Sequence, residues 1–169
     1  MKTLVHHARH TLPPKKKSVR PAADHERGNM LERKRKRAIK KYAADFMRMV
    51  KEDAHGALDG AKMPCIHCKH VIPVLFQETG EIFALPDNAK SKRTIIQAAR
   101  KNPGLISFIA GGTYNDGADI EIFGYTAKKP VKLREAVRHE MLHSMLNQCG
   151  YPSGDDDELF IKMTLIYDA

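Results

Sequence analysis

The sequence predicts an α+β fold, a small twisted mixed sheet with helices, on three observations. Helical faces stand near both ends: Ile39, Tyr42, Ala43, Phe46, Met49 and Val50 recur at i, i+3, i+4, i+7, i+10 and i+11, and Leu133, Ala136, Val137, Met141 and Leu142 form a second packing surface. Between them lie short β-type runs, Val71 to Phe76, Ile82 to Leu85, Leu105 to Ala110 and Ala118 to Tyr125. At 169 residues and 42% hydrophobic, the chain suffices for one core-forming domain with an appendage.

Taken in order, residues 1–28 read as a flexible basic arm. Pro13, Pro14, Pro21 and Gly28 interrupt it, and His6, His7 and His10 read as solvated tail residues. Residues 29–57 read as a basic amphipathic helix with Gly56 as its C′ residue. Its start carries Arg33-Lys34-Arg35-Lys36-Arg37 and Lys40-Lys41, either a solvated face or a phosphate-contacting one. Charge marks the same boundary. Residues 1–51 hold 16 Lys/Arg against 4 Asp/Glu, a net of +12, whereas residues 52–169 hold 13 against 16, a net of −3. A protein that coats nucleic acid uniformly is thereby excluded, and an acidic body with a polyanion-meeting segment is implied. No run approaches the ~18 apolar residues of a transmembrane helix, and no apolar stretch near Met1 suits a secretory signal. Three cysteines make no disulfide framework, which fits a reducing, cytoplasmic compartment.

Cys65-Ile66-His67-Cys68 is a CxxC that reads as a tight knuckle leading into the hairpin of Val71 to Leu85. A second CxxC is absent. Cys65 and Cys68 therefore stand as candidates for a structural zinc, with His55, His67, His70 or Cys149 as further ligands, or as reduced thiols, or as a redox pair. Ser91 to Asn102 reads as a short helix stopped by Pro103-Gly104, with Ile95, Ile96 and Ala99 inward. Gly111-Gly112 lacks the Lys-Ser/Thr of a phosphate loop and reads as a turn, as does Asn115-Asp116-Gly117. Ala118 to Tyr125 alternates as a half-buried strand.

Pro130 opens a helix that runs to about Gln148 and stops at Gly150. Inside it stands His139-Glu140-Met141-Leu142-His143, an HExxH pattern. Residues i and i+4 share a helical face, so both imidazoles can converge on one Zn²⁺. Glu140 is then placed to act as general base on zinc-bound water, whose pKa the metal lowers toward ~7. A third ligand is wanted. Cys149 stands six residues after His143, where the longer metzincin pattern places its third ligand, but that pattern also has glycine where this chain has Leu146, so Cys149 is a poor fit to it. The run Asp155-Asp156-Asp157-Glu158 opens a second helix ending near Tyr167, with Leu159, Phe160, Met163, Ile166 and Tyr167 as its apolar face. Helical phase puts Asp156 on that inward face and favours it as ligand, with Asp155, Asp157 and Glu158 as alternatives. The same acids could instead only complement the helix dipole. Tyr151 and Tyr167 read as packing residues.

The segment from Glu135 to about Ile166 resembles the active-site region of the zincin metallopeptidases, and is most similar to small SprT-like and ImmA/IrrE-like domains. His139, Glu140 and His143 match their HExxH. Asp156, four residues before Phe160, matches the spacing of their third ligand, although His or Glu is usual there. The resemblance covers some 30 residues. It implies a zincin-like metallopeptidase domain over 58–169 that hydrolyses peptide bonds, and SprT-like domains also act near DNA.

The expectation is therefore a zinc-dependent metallopeptidase. Its substrate is a protein or peptide laid along a sheet edge such as Ala118 to Tyr125. Residues 15–41 are the candidate contact for DNA or RNA, and no membrane partner is expected. The alternative is a nucleic-acid-binding accessory protein with a structural zinc at the CxxC and a non-catalytic HExxH. A delivered, toxin-like protease with a basic export signal is a third class.

Overall fold

The computed structural model describes residues 22–101, 103–123 and 130–169. The expected arm therefore lies mostly outside the described residues. The first helix, α1 (Ala22–Asp53), begins before the expected residue 29 and carries Gly28 inside it. Glycine within a helix costs only about 1 kcal/mol relative to alanine, which a long helix absorbs. The predicted stripe is the buried one: Ile39, Ala43, Phe46 and Val50 are at most 2% exposed. They pack on the HExxH helix, so this half of α1 belongs to the core instead of forming a separate appendage. His55 and Gly56, both at positive φ, turn the chain after it.

The strands are β1 (Cys65–Lys69), β2 (Val71–Phe76), β3 (Ile82–Pro86), β4 (Ile106–Phe108), β5 (Gly111–Tyr114) and β6 (Asp119–Phe123). They form two three-stranded sheets where one was expected. In the first, ordered β1-β6-β5, β1 runs parallel and β5 antiparallel to β6. In the second, ordered β3-β2-β4, both neighbours run antiparallel to β2. Only His70 separates β1 from β2, and only Ile109 and Ala110 separate β4 from β5. The chain thus passes between the sheets at two sharp bends. Helix α2 (Ala89–Lys101) covers the second sheet, with Ile95 against Ile72 and Val74.

The helix α3 (Pro130–Gln148) is the centre of the molecule. Leu133, Ala136, Val137, Met141, Leu142, Met145 and Leu146 are all buried, because α1 packs on one side and β5 and β6 on the other. A turn clasp holds the first sheet to it. Asn115, Asp116 and Gly117 all have positive φ, and this tight turn brings the Gly117 carbonyl to α3. There it accepts hydrogen bonds from Ser144 Oγ (2.5 Å) and Gln148 Nε2 (2.9 Å). A Cβ on residue 117 would collide with the Ser144 carbonyl, so glycine is needed for both space and φ. The last helix, α4 (Glu158–Tyr167), buries Phe160 and Tyr167, with Tyr167 edge-on to Phe46 at 6.1 Å. Its expected face is narrower than predicted: Leu159 is 37% and Ile166 70% exposed.

Three expectations are corrected by this topology. Gly111-Gly112 lies in β5, not in a turn. Strand β6 has a neighbour on each side and so offers no edge to a substrate; the edges of its sheet are β1 and β5. Residues 124 and 125 of the predicted strand lie outside the described residues. Finally, the CxxC is a strand, with β1 paired to β6 along its whole length. Side chains three apart on a strand point to opposite faces, so Cys65 and Cys68 do not grip a common ion. Consistently, Cys65 is exposed and Cys68 packs partly against the main core. Among the described residues no helix is long and apolar enough to cross a membrane.

Candidate functional site

One turn of α3 carries both histidines on the same side, as the i, i+4 spacing requires. Their Nε2 atoms lie 3.1 Å apart. The Asp155 Oδ1 lies 3.1 Å from each of them. The three donor atoms thus form a nearly equilateral triangle, the one cluster of potential metal ligands found among the described residues. A tetrahedral ion with bonds of about 2.0–2.1 Å holds its ligand atoms roughly 3.3–3.4 Å apart, so the triangle has the dimensions such an ion requires. Two imidazoles and one carboxylate are also a donor set suited to Zn²⁺, although other divalent ions accept it.

Two features orient the imidazoles. The Nδ1 of His143 is hydrogen-bonded to the Ser153 backbone carbonyl. A carbonyl only accepts, so Nδ1 carries the proton and a neutral His143 turns the Nε2 lone pair to the cluster. Phe160, 2% exposed, stacks on His143 at 3.9 Å and meets His139 edge-on at 5.1 Å. This phenyl ring is the floor against which both imidazoles rest. Burial, and secondarily the neighbouring His143, hold the His139 pKa below its usual range. The neutral form, which a metal needs, is therefore favoured.

The acidic run divides its labour residue by residue. Asp155 reaches the histidines. Asp156, the ligand favoured by helical phase, does not: its Oδ1 sits beside Gly154 in the turn. Asp157 is the N-cap of α4 and accepts from the Gly154 N–H at 2.5 Å. Glu158 pairs with Lys162 at 2.5 Å. The phase argument failed because α4 starts only at Glu158, so residues 155 and 156 have no helical phase. Cys65, Cys68 and Cys149 lie outside the cluster, and Tyr151 is 40% exposed.

Glu140 is 6% exposed, between α3 and β5. Its Oε2 accepts a hydrogen bond from Thr113 Oγ1 at 2.9 Å. Burial pushes its pKa up to about 7, opposed by the Thr113 hydrogen bond and reinforced by the Asp155 charge. A carboxyl tuned to that range can both take and return a proton near neutral pH. Glu140, His139, His143 and Asp155 line one groove of about 930 Å³, together with Gly111, Gly112 and Thr113 of β5 and Leu75 and Ser107 of the second sheet. Ser153 and Thr113 were not singled out from sequence, and Gly111 was read only as part of a turn. Their only signal is the strand parity that puts 111 and 113 on one face, legible once β5 is known.

No family model, curated protein or solved structure matches this chain.

Proposed function

We propose that the protein is a metal-dependent peptidase of zincin type, with His139, His143 and Asp155 holding Zn²⁺ and Glu140 serving as general base. The observation that carries this reading is the 3.1 Å donor triangle on the HExxH helix, with the buried Glu140 carboxyl in the same groove. Asp155 replaces Asp156 as the third ligand. A divalent ion held there would polarise a carbonyl and acidify water. The Glu140 carboxylate takes the proton of the attacking water and passes it to the departing amine, a role worth typically ~10²–10⁴ in rate.

The proposed substrate is an extended protein segment added to β5. The Phe123 N–H donates to the Ala110 carbonyl at 3.0 Å, which makes that pair hydrogen-bonded across the β5–β6 ladder. Alternation then turns the N–H and C=O of Gly111 and Thr113 away from β6, toward the open edge beside α3. A peptide pairing there would lie along the groove that holds the histidines.

Metal analysis beside casein hydrolysis tests the proposal. The expected result is one zinc per chain in wild type and in Glu140→Gln, with hydrolysis lost in Glu140→Gln. Absence of stoichiometric zinc, or unchanged hydrolysis in that variant, overturns it.

A second activity, binding of a nucleic-acid backbone, is favoured by one feature of α1. Arg33, Arg37, Lys40 and Lys41 are exposed and recur at i, i+4, i+7 and i+8, opposite the buried stripe. Lys36, Arg37, Lys40, His67 and Lys69 also line a groove between α1 and β1. Such contacts are blind to sequence and weaken steeply with salt, by a slope of about −0.9 per duplex phosphate engaged. Replacing Arg33, Arg37, Lys40 and Lys41 together by alanine should abolish binding of a labelled duplex and leave casein hydrolysis intact. Binding that survives this change sinks the second activity.

A further inference from the structure

We infer that Gly111 and Thr113 form a two-point mount for the Glu140 carboxylate, which makes Thr113 a positioning residue for the chemistry of the groove. This deepens the peptidase reading and rests on it for its catalytic consequence. The geometry of the mount stands by itself.

Residues 111 and 113 share the face of β5 that meets α3. Thr113 Oγ1 lies 2.9 Å from Glu140 Oε2 and 3.1 Å from the Glu140 backbone oxygen. A hydroxyl has one proton to donate, and an ionised carboxylate is the stronger acceptor. Donation to Oε2 therefore fixes one oxygen of the carboxylate. Gly111 fixes the other by shape. A Cβ at residue 111 would stand 2.6 Å from Glu140 Cγ, 2.8 Å from Oε1 and 2.9 Å from Cδ. The Glu140 side chain is therefore laid directly on the strand backbone, where only glycine leaves room. No positive φ is required of Gly111, so space is the reason for glycine here. With Oε2 engaged by Thr113 and the chain resting on Gly111, Oε1 keeps its lone pairs for the proton it must take. Displacement of a reacting group by ~1 Å is enough to cost orders of magnitude in rate.

The mount is tested on the full, zinc-loaded chain with Thr113→Val, Thr113→Ser and Gly111→Ala. Three quantities are read: bound zinc, kcat and KM on fluorescently labelled casein, and the ¹³C resonance of the Glu140 carboxyl, assigned by its loss in Glu140→Gln. Thr113→Val should keep one zinc per chain and a KM within about twofold, while kcat falls about tenfold or more and the carboxyl resonance moves. Thr113→Ser keeps the hydroxyl and should restore both kcat and resonance, which a loss of packing alone would not do. Gly111→Ala should lower kcat with Thr113 in place; if it fails to fold, the Thr113 pair still decides. A Thr113→Val kcat within twofold of wild type, or an unmoved resonance, overturns the mount. Should zinc-loaded wild type cleave no casein, the peptidase reading falls and the resonance alone decides. A shift in Thr113→Val that Thr113→Ser reverses supports the mount, and any other pattern removes it.

Discussion

The two sheets have three strands each and differ in what lies behind them. The β1-β6-β5 sheet is backed by α1 and α3, in a cluster of eighteen buried residues that reaches from Ile39 to Tyr167. Among the described residues the β3-β2-β4 sheet is backed by α2, and its buried cluster is Ile72, Val74 and Ile95. Its outer strand leaves Ile82 and Phe83 60% and 48% exposed. His139, His143 and Glu140 hang on α3 of the deep core and Asp155 on the turn between α3 and α4, whereas Leu75 and Ser107 of the shallow unit form one wall of the same groove. A firmly packed seat for the two histidines and Glu140 is thus combined with a lightly anchored wall. Low local stability tends to fall on elements with few buried apolar contacts. Hydrogen exchange should therefore open α2 and β3 at lower free energy than α3.

The largest expected effect is in the deep core. Phe160→Ala removes the ring that contacts both imidazoles and leaves a cavity, at a cost of about 3–5 kcal/mol. Zinc affinity, measured by chelator competition, should fall with it; unchanged affinity would show that the ring is only filler.

Next in size is a pH effect centred on Glu140. Its carboxyl titrates from 4.5 in the unfolded chain and at about 7 in the fold. The native state then binds more protons between these values, so stability is full below the lower one and falls as pH rises through the higher one. In the metal-free protein the loss amounts to about 3 kcal/mol. Denaturant melts across pH should show it, and Glu140→Gln should flatten the curve. A curve that keeps its slope in Glu140→Gln would assign the effect elsewhere.

In the shallow unit, Ile95→Ala should cost about 2 kcal/mol, the low end for such a truncation, because few neighbours surround it. Zinc affinity should stay at the wild-type value. Coupled loss of zinc would mean that the two regions form one cooperative structure and would erase the contrast drawn above. The smallest effect is expected at the strand CxxC. Cys65→Ser, at an exposed position, should change stability by no more than about 0.5 kcal/mol and leave the zinc count per chain unaltered. Loss of a zinc would restore the structural site that β1 geometry argues against.

Local rules determined a good part of this protein from sequence. The α+β class, the core stripe of α1, the β2–β3 hairpin and the span of α3 follow from periodicity and from Pro130 and Gly150, which act within a few residues. The pairing of His139 with His143 follows likewise, because helical spacing alone puts them on one side. Other features depended on groups far apart in the chain. Asp155 reaches the histidines through a non-helical turn, so no periodicity could rank it above Asp156. The CxxC became a strand because β6, some fifty residues later, supplies its ladder partner. Gly111-Gly112, turn-like in isolation, became the edge strand on which Glu140 rests. Sequence decides what a segment can do by itself, and only tertiary packing decides which partner its backbone and side chains meet.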